Sequence, residues 1–172
     1  YGGEYAHISN PQKLRYILGD NLFESINGAI LEQETQLDHS PIIGWAFDGN
    51  PIYGPYGYAD PTDQASAINR LNSSYRLKTE LVYDVVTNPY PSRTAGPLLV
   101  DEPAGNFVED YEYVFGLGDL DQYNGRFCKT PEFPGGRYCY FVTIDTTEQG
   151  NPVFPYVLGP SFNSVVDTWN LT

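Results

Sequence analysis

The chain of 172 residues contains no methionine, two cysteines and two histidines, and only 9 Lys+Arg against 22 Asp+Glu, for a net charge of -13. Each scarcity removes a class of function. With so few cations, phosphate backbones and anionic lipid surfaces are repelled at long range, which argues against nucleic-acid partners. No apolar run approaches the roughly 20 residues that a membrane-spanning helix needs, so no membrane insertion is expected. Two cysteines cannot build a dense disulfide scaffold, and a closed zinc site would require Cys128, Cys139, His7 and His39 all to converge. A chain that opens at Tyr1 without a methionine anywhere is expected to be a module processed or excised from a longer polypeptide.

What the chain has is aromatic mass and bends. Aromatics make up 15% of it, with 15 Tyr and 9 Phe, and 17 Gly and 14 Pro are dispersed along its length. Many short elements joined by tight turns, around a core rich in Tyr and Phe, are the expected outcome. The fold class is therefore mainly β, a β-rich α+β single domain over residues 1–172. It is expected to be a compact irregular sandwich or barrel-like body with one or two short helices.

Local patterns place the elements. Lys13 to Leu18 alternates polar and apolar residues up to Gly19-Asp20 and predicts a half-buried strand. Asn27-Gly28 predicts a hairpin turn before a short strand from Ala29 to Leu31. Ile42 to Phe47 is nearly all apolar and predicts a strand covered on both faces, with Asp48-Gly49 supplying the positive φ of a turn. Asp60 as N-cap, Pro61 and Asp63 predict a helix burying Ala65, Ile68 and Leu71. Further strands are predicted at Leu81–Val86, Phe107–Phe115 and Arg137–Ile144.

Candidate chemistry is sparse. Asp119, Asp121 and Asn124, ahead of Gly125, place oxygen ligands in an acidic turn and make calcium the metal to consider; Asp48 with Asn50 offers a second such loop, and Asx turns account for the same residues without an ion. Arg126 is expected to pair with Asp119 or Asp121. Tyr53, Tyr56 and Tyr58, beside Asp48 and Asn50, resemble a glycan-gripping surface, with inward-packed rings as the alternative. Cys128 and Cys139 could close a short disulfide loop, adding about 3 kcal/mol, or stay as two buried thiols. His39 beside Ser40 is a poor start for a catalytic triad, since neighbours on an extended segment point apart. Carboxylate pairs such as Asp48 and Asp119 arise by chance in so acidic a chain.

The run Gly44-Trp45-Ala46-Phe47-Asp48-Gly49-Asn50-Pro51-Ile52-Tyr53-Gly54-Pro55, preceded by His39, resembles the first signature of the YHYH domain family. Asp119-Leu120-Asp121-Gln122-Tyr123-Asn124-Gly125-Arg126-Phe127, Gly136-Arg137-Tyr138-Cys139-Tyr140-Phe141 and Phe154-Pro155-Tyr156 resemble its second half. The resemblance carries His39, Trp45, Asp48, Gly49, Pro51, Tyr53, Gly54, Asn124, Gly125, Arg126, Tyr138 and Tyr140 as motif positions. Where the family pattern reads Tyr-His-Tyr-His, this chain reads Tyr138-Cys139-Tyr140-Phe141, so any metal role of those histidines is altered here, while the retained tyrosines imply packing.

This form resembles segments of large virion structural proteins of marine cyanobacterial phages. That implies a non-enzymatic module of a tail, baseplate or fibre, found in the virion or otherwise extracellular. Its implied partners are other virion chains, a homo-oligomeric copy or a host surface glycan; the residues read above leave as alternatives an extracellular glycan- or calcium-binding domain and, behind it, a hydrolase, with no cofactor other than calcium.

Overall fold

The computed structural model describes residues 9–78 and 103–166. Among these described residues it is β-rich, with ten short strands, one short α-helix and a single 3-10 turn at Val108–Asp110. The strands are β1 (Leu22–Glu24), β2 (Ile30–Glu32), β3 (Ile42–Trp45), β4 (Pro51–Tyr53), β5 (Tyr56–Tyr58), β6 (Ile68–Arg70), β7 (Tyr75–Leu77), β8 (Tyr111–Tyr113), β9 (Gly125–Cys128) and β10 (Arg137–Phe141). A central four-stranded sheet has the order β3-β4-β10-β9, and β1-β2, β5-β6 and β7-β8 form separate antiparallel ribbons. The described strands close no barrel, so of the two expected shapes the barrel-like one is set aside.

In the central sheet β10 lies parallel to β4 and antiparallel to β9. The β3–β4 hairpin turns on Gly49, whose φ is +78°. There Asp48 Oδ1 accepts the Asn50 N–H at 3.2 Å, a local bond that favours a tight turn. Asn27-Gly28 makes the β1–β2 hairpin as expected, with Gly28 at φ +78°. The core beneath the sheet gathers Tyr53, Leu71, Leu120, Cys128, Cys139 and Phe141, and a second cluster holds Tyr56, Val142 and Ile144.

Four expectations are corrected. Residues Gln12–Ile17 form helix α1, not a strand. The inward-facing residue there is the fully buried Arg15, while Ile17 stands 71% exposed, so the alternation in sequence did not report which face was inside. Asp20 N–H returns to the Arg15 carbonyl at 3.0 Å and Gly19 takes φ +81°, which ends the helix in a left-handed cap.

The helix expected after Asp60 does not form. Asp60 Oδ1 takes both the Thr62 N–H and the Thr62 hydroxyl, and Asp63 Oδ1 takes the Ala65 N–H. These side-chain bonds satisfy the backbone in turns and compete with helical bonding. Leu71 is buried, but Ile68 reaches its half-buried place from strand β6. Next, β3 lies at a sheet edge and Trp45 is 56% exposed, so that strand is not covered on both faces. Finally, the stretch Phe107–Phe115 gives the 3-10 turn followed by β8 alone. The Leu81–Val86 expectation lies outside the described residues.

Candidate functional site

Strand β10 sends alternate side chains to the two faces of the sheet, as a pleated strand must, and this divides Tyr138-Cys139-Tyr140-Phe141 into two working pairs. On one face stand the tyrosines. The Tyr138 hydroxyl lies 2.9 and 3.0 Å from the two carboxylate oxygens of Asp121, and the Tyr140 hydroxyl donates to Asp48 Oδ2 at 2.7 Å. Each tyrosine therefore pins one acidic turn against the sheet. The Tyr140 hydroxyl also accepts the Asn163 N–H at 2.7 Å, which ties in the C-terminal segment.

The electrostatics follow from these bonds. Burial alone would push the Asp48 carboxyl upward, but the Tyr140 hydroxyl, the Asn50 amide and the Ser164 N–H hold it below its usual range. Burial, with Asp121 alongside, raises Tyr138 far above an ordinary phenol, so it stays a neutral donor at physiological pH. The acidic turn is locally consistent as well: Asp121 Oδ1 accepts the Tyr123 and Gly125 N–H groups, and Asn124 takes φ +63° with its amide donating to the Phe141 and Val157 carbonyls.

On the other face Cys139 and Phe141 enter the core beside Tyr53, whose ring stacks on Phe141 with centroids 5.6 Å apart. His39 completes an aromatic box, with its ring 5.0 Å from Tyr53, 5.0 Å from Tyr58 and 6.0 Å from Phe141. The two positions at which this chain departs from Tyr-His-Tyr-His thus face the same interior as its remaining motif histidine. Phe141 fills that space with an apolar ring, and Cys139 meets Cys128. Both cysteines are buried free thiols. With Cys139 and Arg126 beside it the Cys128 thiol is lowered, while Cys139, buried against Cys128, is raised, its Sγ lying 3.5 Å from the Arg137 carbonyl.

His39 Nδ1 lies 2.8 Å from the Ser40 carbonyl, which can only accept, so Nδ1 carries the proton. Nε2 is buried and has no hydrogen-bond partner among the described residues. Burial is the main cause that lowers the His39 pKa, against opposing pulls from the Ser40 carbonyl, Glu132 and Asp20, with Arg126 adding to the lowering. An unfolded chain then binds a proton that the folded one resists, so stability falls as pH drops below the ordinary histidine range. Thermal melts between pH 7 and pH 5 should show this loss, and His39→Phe should flatten the slope. An identical slope in both proteins would exclude His39 as its source.

The other expected contacts divide. Tyr53 and Tyr56 are buried, not displayed, and Tyr58 is half-buried, so these three rings form no glycan-facing surface. The Tyr53 hydroxyl meets Thr130 and Glu132, both at 2.9 Å, and the Tyr56 hydroxyl donates to Glu32 at 2.8 Å. Burial raises both phenols. Arg126 pairs with neither Asp119 nor Asp121: its Nη2 donates to the Tyr58 carbonyl at 2.6 Å and its guanidinium sits over the Phe141 ring.

Asp119, Asp121 and Asn124 do not converge either, since Asp119 Oδ2 turns to the N–H and amide of Asn72 while Asp121 serves Tyr138. Among the described residues no group of three or more His, Cys, Asp or Glu is placed to hold a metal ion. The Ser40 hydroxyl donates to Asp20 and accepts the Tyr56 N–H, so His39 meets the Ser40 carbonyl and not its hydroxyl. Of the remaining motif positions, Pro51 is buried at the start of β4 and Gly54 lies where a Cβ would fall 2.5 Å from Asp20 Oδ2.

Sequence reasoning missed the most deeply buried polar cluster. Arg15 is fully buried and donates to Asp20 at 2.6 Å and to Glu32 at 2.6 and 2.9 Å, with its guanidinium over the Tyr56 ring. No signal in the sequence marks it, because an arginine in an alternating run reads as the solvent side.

The fold and this interior define a class: a β-rich domain whose tyrosine hydroxyls lock acidic turns onto a central sheet. The chain belongs to the YHYH protein family, whose model matches residues 1–152. No curated protein and no solved structure matches the chain.

Proposed function

We propose that this chain is a non-enzymatic structural module of a phage virion appendage, a tail, baseplate or fibre component that packs against neighbouring virion chains. The observation that carries the reading is how the polar side chains are used. The groups that would do chemistry are bonded to one another inside the domain, as in Tyr138 with Asp121, Tyr140 with Asp48 and Tyr53 with Glu132.

Meanwhile large apolar side chains are left outside. Trp45 is 56%, Phe47 53% and Phe127 68% exposed, and an apolar groove of about 390 Å³ lies between Trp45, Phe47 and Ile52 and the segment Pro155–Leu158. Exposed aromatic area of this kind is what subunit contacts use. The resemblance to large virion structural proteins supports the same reading, as does the strong acidity.

Antibodies against the purified chain, applied to virions of the phage that encodes it, should place immunogold label on the tail or its fibres. Purified virions that contain the chain in neither label nor peptide mass spectra would overturn the proposal.

A further inference from the structure

A groove of about 600 Å³ opens between the loop after β2, strand β6 and the turn around residues 146–148. Its floor is rigid. Glu32 and Tyr56 close it from below, and both are held by the buried Arg15 cluster. Its walls are polar and their hydrogen-bonding groups are unevenly spent. Asn69 and Glu34 are exposed and make no side-chain hydrogen bond among the described residues, and Asp119 commits only Oδ2. Among the described residues Arg70 gives one hydrogen bond, from Nη1 to the Asp145 carbonyl at 2.8 Å, and its buried Nε has no partner. A guanidinium and the carboxylates of Glu34, Asp119 and Glu148 line one groove, yet the described ion pairs are those of Arg15 and of Arg76 with Glu112.

Such a site offers unspent donors and acceptors side by side above a fixed floor. An anion would meet the carboxylates of Glu34, Asp119 and Glu148, with Glu32 beneath them, on a chain of net charge -13. A metal ion would need converging oxygens, and no such group is placed among the described residues. An apolar ligand would meet mainly charged and amide side chains, since Tyr56 is buried and its hydroxyl is spent on Glu32. A polyol fits, because each hydroxyl both donates and accepts, and vicinal hydroxyls match the two oxygens of a carboxylate.

We propose that this groove binds a neutral saccharide, with Asn69, Arg70, Glu34 and Glu148 reading its hydroxyls. The volume falls within the usual range of ligand sites and holds about one or two sugar rings. The groove shares no lining residue with the apolar groove at Trp45 and Phe47, so it stands or falls independently of virion packing.

The test is a titration of the isotopically labelled full chain with glucose, galactose and N-acetylglucosamine, followed by amide NMR. At least one sugar should give saturable shifts confined to residues 33–36, 69–72 and 146–148. The double variant Asn69→Ala/Glu148→Ala should weaken that binding about tenfold or more with an unchanged melting temperature. Absence of a saturable shift with all three sugars, shifts that the double variant leaves untouched, or the same shifts from calcium chloride alone would each overturn the site.

Discussion

Arg15→Met is expected to cost about 3–5 kcal/mol of folding stability, the largest loss from any single side-chain truncation proposed for this domain. The side chains of Arg15, Asp20 and Glu32 are 0%, 0% and 5% exposed, so neither water nor salt screens the cluster. Burial opposes the Arg15 charge, yet its bonds to Glu32 and Asp20 hold it fully protonated. Methionine keeps the volume and removes the cation, which leaves two carboxylates buried against each other and against the Tyr56 hydroxyl. The double variant Arg15→Met/Glu32→Gln removes one of those orphaned charges and should recover part of the loss. Chemical denaturation of the three proteins checks this. A loss below about 1 kcal/mol would place the cluster with ordinary surface pairs.

Gly54→Ala should be nearly as damaging, at about 3 kcal/mol, whereas Gly49→Ala should cost about 1 kcal/mol. The two glycines belong to one motif but serve different needs. A Cβ on Gly54 would fall 2.5 Å from Asp20 Oδ2 and 2.7 Å from Ser40 Oγ, two atoms fixed by the Arg15 cluster and by the Tyr56 N–H. Gly49 has φ +78° with nothing within 4 Å of its would-be Cβ, so the penalty there is backbone conformation alone. Melting temperatures that rank the variants in the opposite order would show that the hairpin turn, not the close approach behind Gly54, limits the fold.

These predictions also show where sequence and structure part. The Asn27-Gly28 and Asp48-Gly49 turns and the β10 strand were legible because their causes are local: a short polar side chain, a missing Cβ and a two-residue period. The pattern around Arg15 was equally regular and pointed the wrong way. Its meaning depended on Glu32, 17 positions later, arriving to accept the guanidinium. Tyr53 and Tyr56 sit in a Pro/Gly-rich stretch that reads as a displayed loop, yet β10 and the Arg15 cluster close over them.

The sequence alone determined a β-rich, acidic, tyrosine-built domain of the YHYH family and the positions of its tightest turns, since composition and neighbouring residues set those properties. Only the tertiary structure decided which hydroxyl holds which carboxylate, that Cys139 and Phe141 share an interior with His39, and that the open polar groove lies beside Arg70. Those relations join residues tens of positions apart, and burial, which sets their strength, exists only once the chain has closed around them.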